Sequence, residues 1–163
     1  MIFVTVGTQL AFDRMLRVVD EWAGSAASAP DVFAQIGPSN IVPQHIEFER
    51  FIPPGQFQDC VRDASVVVAH AGVGSIVTAL RYGKPIVIVP RRASLGEQRN
   101  EHQLATAARF EGRPGICVAY DETELPRILD RLGDLRSGEP ISPFGSPRLI
   151  AALQGFIDRC ELK

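Results

Sequence analysis

The stretch from Ser65 to Leu80 limits most strongly what this chain can fold into. Val66, Val67 and Val68 are β-branched and follow one another without a polar break, the pattern of a strand buried on both faces. His70-Ala71-Gly72-Val73-Gly74-Ser75 then supplies small residues for a sharp turn, and Ile76, Val77, Ala79 and Leu80 begin a helical pattern. A strand, a glycine turn and a helix N-terminus in that order form a ready anion site. Free backbone N–H groups and the positive end of the helix dipole point the same way. The same order also serves as a plain connection in any α/β protein, so the turn alone leaves both readings open.

The rest of the chain repeats the alternation. Ile2 to Val6 reads as a strand, Gly7-Thr8-Gln9 as a turn, and Phe12, Met15, Leu16, Val19 and Ala23 as the apolar face of a helix, with Asp13, Arg14, Arg17 and Asp20 opposite. Small residues from Gly24 to Pro30 close that helix. Val32 to Ile36 and Ile46 to Phe51 read as strands, and Pro53-Pro54 opens a brief helix over Gly55 to Arg62. Strands at Ile86 to Val89 and Ile116 to Ala119 alternate with helices from Asn100 to Phe110 and from about Thr123 to Leu132. Asn100 and Gln103 have the spacing of a capping box. Ser146-Pro147 has the form of an N-cap followed by a first-turn proline. It opens a last helix with Leu149, Ile150, Leu153, Phe156 and Ile157 on one face. The pattern predicts an α/β fold over residues 1–163, one Rossmann-like doubly wound parallel sheet. In such sheets ligands sit beyond the carboxyl ends of the strands. Three polar loops belong there: Gly7 to Gln9, His70 to Ser75, and Arg91 to Gln103.

Composition removes several function classes. The net charge of −2 gives no global field for nucleic acid. Cys60, Cys117 and Cys160 are odd in number and far apart, which fits neither a zinc site nor a disulfide framework and suits a reducing compartment. The apolar start, Met1 to Val6, lacks a basic leader and reads as a strand, and no apolar run approaches the ~20 residues of a membrane span. The dinucleotide pattern Gly-x-Gly-x-x-Gly fails at Val77, which weakens a nucleoside-binding reductase.

Each candidate site residue has two readings. Gly7, Thr8 and Gln9 clasp phosphate or sugar, or form a simple turn capped by Thr8. His70 is a satisfied structural histidine or a donor to phosphate or substrate. Ser75 caps the helix, donates to phosphate, or does both. Arg91, Arg92 and Arg99 are a solvated basic surface, or a cluster for a diphosphate or a sugar carboxylate. Glu101, His102 and Gln103 belong to the capping box, or line the cleft and bond the hydroxyls of a sugar.

Phe3-Val4-Thr5-Val6-Gly7-Thr8, His70-Ala71-Gly72-Val73-Gly74-Ser75, Gly83-Lys84-Pro85 and His102-Gln103, in this order, resemble glycosyltransferase family 28, C-terminal domain. The likeness covers nearly the whole chain. It extends to the small catalytic subunits of bacterial exopolysaccharide synthesis and to the catalytic subunit of the two-part N-acetylglucosaminyltransferase of dolichol-linked glycan assembly. The resemblance implies the C-terminal, donor-binding half of a GT-B enzyme that uses a UDP-sugar, inverts the anomeric carbon and needs no metal or other cofactor. It places the diphosphate on Gly72, Val73, Gly74 and Ser75, the uracil beside Phe51 and Ile52, and the donor sugar on His102 and Gln103. Thr78 stands where such domains often carry an acid that bonds ribose, a departure from the pattern.

The resemblance further implies a second, membrane-anchored subunit for a lipid-linked acceptor, with this chain cytoplasmic at the inner face of the plasma membrane. The apolar face of the 146–159 helix is available for docking that subunit, for packing on its own sheet, or for a homodimer. His70, Glu101 and His102 are the candidate catalytic bases, unless the base lies on the other half. Arg91 and Arg92 favour a uronic-acid donor, UDP-glucuronate. A different class of function, a nucleotide-sugar-binding partner without chemistry of its own, is the alternative.

Overall fold

The structure is a computed structural model, and it describes residues 1–26 and 30–161. Its strands are β1 (Ile2–Thr5), β2 (Val32–Gln35), β3 (Glu47–Glu49), β4 (Val66–His70), β5 (Ile86–Val89) and β6 (Ile116–Val118). They form one sheet in the order β3-β2-β1-β4-β5-β6, and every pair is parallel. From β1 the chain moves outward through β2 to β3. It then returns to the other side of β1 and moves outward again through β4, β5 and β6. The order reverses between β1 and β4, and a crevice opens beyond their carboxyl ends.

Side-chain alternation explains why the sheet is covered on both faces. Val4, Val66, Val68, Val87 and Val89 point to one side, where α1 (Asp13–Ser25) and α5 (Leu125–Leu129) cover them with Met15, Leu16, Val19, Leu125 and Leu129. Phe3, Val67, Ala69, Ile86 and Ile88 point to the other. There α2 (Pro54–Asp63), α3 (Val73–Arg81) and α4 (His102–Phe110) cover them with Val61, Ile76, Ala79, Leu80 and Ala107. Removing each large aliphatic side chain from water contributes roughly 1.5–3 kcal/mol, so the uninterrupted valines of β4 stabilise both layers at once. Phe3 stands over Phe57 of α2, edge to face at 5.4 Å between ring centroids, which seats α2 on the sheet.

Several elements differ locally from the sequence pattern. The fifth helix is shorter than expected: Glu124, the neighbour of Thr123, is its N-cap residue, and a 3-10 turn at Leu132–Asp134 follows it. The backbone N–H and hydroxyl of Thr123 both go to Asp121 instead. Arg14, assigned by periodicity to the solvent face of α1, is largely buried between Glu97 and Glu122 at 2.8 Å from each. The small-residue stretch after α1 lies partly outside the described residues.

The last helix, α6 (Pro147–Glu161), begins as its sequence signals, with Ser146 Oγ accepting from the Leu149 N–H at 3.2 Å. Leu149, Ile150, Leu153, Phe156 and Ile157 on it are all exposed. Of the three coverings its apolar face could have had, the chain's own sheet is not the one used.

Candidate functional site

The carboxyl ends of the central strands open into a cleft of about 560 Å³. β4 ends in His70, and the chain turns at once: the Gly72 N–H donates to the His70 carbonyl at 2.7 Å, and α3 starts at Val73. Gly72 is the N-cap residue and offers no side-chain acceptor. The first intrahelical bond is donated by Ile76 to the Gly72 carbonyl at 3.1 Å. The N–H groups of Val73, Gly74 and Ser75 precede it and so have no acceptor within the helix. Gly74, Ser75 and Thr78 line the cleft. An uncapped helix N-terminus therefore faces it, with the positive end of its dipole at the mouth. Ser75 is not the cap, which leaves its hydroxyl to the cleft. Thr78 turns its hydroxyl back to the Gly74 carbonyl at 2.8 Å, the local bond that threonine readily makes inside helices.

The two glycine turns meet through His70. A Cβ added at Gly7 would lie 2.7 Å from the imidazole Cε1, and Gly7 adopts a left-handed φ of 81° that side chains disfavour. A Cβ at Gly72 would collide with the imidazole Nε2. The close approach that these glycines permit is thus made by a side chain of the protein itself. Gly74 is different, because a Cβ there meets no protein atom within 4 Å. His70 Nδ1 is buried without a hydrogen-bond partner. Burial, and after it the Arg91 charge, pushes His70 down to about 4, with the Thr5 carbonyl acting in the opposite direction. His70 is a neutral imidazole near pH 7, neither a phosphate-pairing cation nor a strong base.

The floor is lined by amides with assigned directions. The Gly7 N–H donates to Thr5 Oγ1 at 3.2 Å, and the Thr5 hydroxyl donates to Gln35 Oε1 at 3.3 Å. Gln103 Oε1 accepts from the Arg91 N–H at 3.1 Å. Both glutamines line the cleft and are buried, and with their carbonyls occupied each has its NH2 group left to offer. His102 also lines the cleft, and its Nδ1 pairs with Asn100 Oδ1. Such a bond needs the proton on Nδ1, and in the neutral ring the lone pair then lies on Nε2. Among the described residues that line the cleft there is no aspartate or glutamate.

Of the residues singled out from sequence, Gly7, Thr8, Gln9, Ile52, His70, Gly72, Gly74, Ser75, Thr78, Arg91, His102 and Gln103 come together here. Val73 does not line the cleft, and its side chain is exposed. Phe51 is exposed as well, and only its neighbour Ile52 lines the cleft. Thr8 does not cap the first helix, whose N-cap is Phe12. The capping box does not form either: Glu101 is the N-cap of α4, Asn100 accepts from the His102 N–H, and Gln103 is occupied with Arg91. The carboxylate of Glu101 accepts from the Ala93 and Ser94 N–H groups, both at 3.1 Å, and lies off the cleft. Arg92 turns away to the Tyr120 carbonyl at 2.9 Å, and Arg99 does not line the cleft. The sequence reading missed Gln35, Pro54, Phe57, Gln58 and Gln98. Gln35 could have been found as a polar residue at the carboxyl end of a buried strand. The others depend on how α2 and the loop after β5 lie.

The glycine–histidine contact yields a prediction. Gly7→Ala and Gly72→Ala each destabilise the fold, and His70→Ala combined with Gly72→Ala recovers most of that loss in urea unfolding, because the collision is removed. The pH dependence follows from the same residue. In the unfolded chain a histidine titrates near 6.5, so the stability that neutral His70 contributes is fully present above that pH and is lost as pH falls toward 4. Between pH 6.5 and 5 the stability difference between wild type and His70→Gln should shift in the variant's favour by about 2 kcal/mol.

Three comparisons bear on this site. The human "UDP-N-acetylglucosamine transferase subunit ALG13" is 32% identical over 136 residues, covering 72% of this chain and 11% of that protein. The protein of the same name from Eremothecium gossypii is 39% identical over 69 residues, covering 42% of this chain and 32% of its own length. The chain thus spans about a tenth to a third of these curated relatives. Among solved structures, the calicheamicin glycosyltransferase CalG4 superposes with a TM-score of 0.58 at 18% identity, over 80% of this chain and 34% of that one. The glycotransferase of kitacinnamycin gives 0.55 at 20% identity, over 83% and 38%. These likenesses show the fold, the Rossmann-like half of a GT-B enzyme. Residues 1–137 match the glycosyltransferase family 28 C-terminal domain, and the chain belongs to that family.

Proposed function

We propose that this chain is the donor-binding subunit of an inverting, UDP-sugar-dependent glycosyltransferase. The observation that carries the proposal is the uncapped N-terminus of α3, opening into a cleft lined with donors and without a carboxylate. Such a site suits a diphosphate, which accepts hydrogen bonds and is repelled by acids. As the bond between sugar and diphosphate breaks, negative charge grows on the leaving oxygen. The Val73, Gly74 and Ser75 N–H groups are already oriented toward that charge and need no rearrangement to stabilise it. The NH2 groups of Gln35 and Gln103 are placed to hold hydroxyls of the donor.

Attack from the opposite face requires a base for the acceptor hydroxyl. His70 is too acidic for this role and Glu101 is turned away. Within this chain the role falls to His102, whose Nε2 lone pair is available. The alternative source is the second half of a GT-B active site. That half is proposed to be a membrane-anchored subunit that presents a lipid-linked acceptor at the cytoplasmic face, in polysaccharide synthesis, with the exposed face of α6 as one docking surface. The names of the ALG13 relatives, which are subunits, support a partnered arrangement. The donor is proposed as a UDP-hexose. A uronate preference is weakly supported, because Arg92 turns away to the Tyr120 carbonyl and the Nη groups of Arg91 are taken up by backbone carbonyls, which leaves its Nε–H alone. The lack of carboxylates also favours a second reading, a nucleotide-sugar-binding partner with no chemistry of its own.

Gly74→Ala is the clean probe, since its methyl group enters space that no protein atom occupies. The variant should unfold at the temperature of wild type, within about 2 °C, and bind UDP at least about tenfold more weakly by calorimetry. Unchanged affinity would remove the diphosphate reading. Transfer from a UDP-hexose by the chain co-expressed with a membrane-anchored partner, lost in His102→Ala, would decide for catalysis over binding alone.

A further inference from the structure

We infer that Arg91 is a positioning residue: a nearly buried positive charge at the edge of the cleft that makes its floor attract anions and holds the Gly7–Gln9 turn and the Gln103 amide, with its Nη groups committed to backbone carbonyls. The inference rests on the nucleotide reading only for the identity of the anion. Arg91 is 2% exposed although it is charged. Its Nη2 donates to the Val6 and Leu10 carbonyls, both at 2.6 Å, and its Nη1 to the carbonyls of Ala11 and Glu97. The guanidinium lies 4.7 Å from the centroid of the Phe12 ring. Its backbone N–H fixes the Gln103 carbonyl. One residue after β5 therefore ties down the whole segment between β1 and α1 and sets the direction of an amide on α4.

The charge is solvated but not cancelled. Carbonyl dipoles satisfy the Nη1 and Nη2 groups, yet among the described residues Arg91 forms no ion pair. Glu97, the nearest candidate, is committed elsewhere. Its carboxylate accepts from Arg14 at 2.8 and 3.0 Å and from the Arg92 N–H at 2.9 Å. Glu97 and Asp13 are the acids whose fields oppose that of Arg91, and the facing His70 is neutral. A buried cation balanced only by dipoles and by more distant acids projects its field into the cleft, where an incoming diphosphate supplies the missing counter-charge.

The experiment compares UDP with uridine, the same base and ribose without the charge, on wild type, Arg91→Met, Arg91→Lys and Asp13→Asn. Arg91→Met should lose about tenfold or more in UDP affinity while uridine changes by less than about threefold. Arg91→Lys, which keeps the charge but not the fork, should fall between. Asp13→Asn removes an opposing charge outside the cleft and should tighten UDP alone. A ligand-free readout accompanies these. The His70 titration, followed by NMR, should move upward in Arg91→Met and much less in Arg91→Lys. Equal loss of UDP and uridine, or a His70 titration that does not move, overturns the inference. A wild type that takes up neither ligand overturns the nucleotide reading, and the His70 shift then decides the role of Arg91 by itself.

Discussion

A parallel sheet covered on both faces leaves polar backbone available only at the ends of its strands, and the rest of this structure depends on that constraint. Valine and isoleucine occupy nearly every position of β4 and β5, so those strands carry no chemistry along their length. Chemistry is confined to the residues just past them. The order β3-β2-β1-β4-β5-β6 then reverses direction between β1 and β4, and their connections diverge. A cleft follows from topology before any functional side chain is placed. Among its lining residues are four at or just past strand ends: Gln35, Gly7, His70 and Arg91.

These residues divide the labour in a way their types do not announce. The cleft lining is made largely of neutral donors, namely helix-terminal N–H groups, glutamine amides and hydroxyls. The one arginine in that lining, Arg91, is almost wholly buried. Holding the guanidinium of Arg91 among backbone carbonyls fixes a long flexible cation at the edge of the cleft. Neutral donors in a fixed array are selective by geometry, whereas an exposed arginine would attract any anion within reach.

Much of this was legible in the sequence. The β4 valines, the glycine turn, the parallel doubly wound sheet and the convergence of three loops follow from hydrophobic period and element alternation, which are local or nearly local signals. The start of α6 was equally visible in Ser146-Pro147. The roles of Arg14, Arg91, Arg92, Glu101 and Gln103 were not. A charged residue on an amphipathic pattern is assigned to solvent by default, and whether it turns inward depends on carbonyls and carboxylates contributed from more than 80 residues away, as for Arg14 with Glu97 and Arg91 with Val6. Gln103 illustrates the same limit: its spacing from Asn100 fits a local cap, but a long-range bond to Arg91 wins. Gly72 and Gly74 look alike in sequence and differ in structure, the first making room for His70 and the second facing open space.

The wedge of His70 between Gly7 and Gly72 has a consequence for how this domain can diversify. The three positions form one unit in substitution space, although they lie in two different turns. A longer side chain at 70 would push the turns apart, and a shorter one would leave a void that either glycine could then fill with a methyl group. A change at one position therefore alters which residues are acceptable at the other two. Because the pair of turns forms the two sides of the cleft, its width is inherited together with the identity of residue 70.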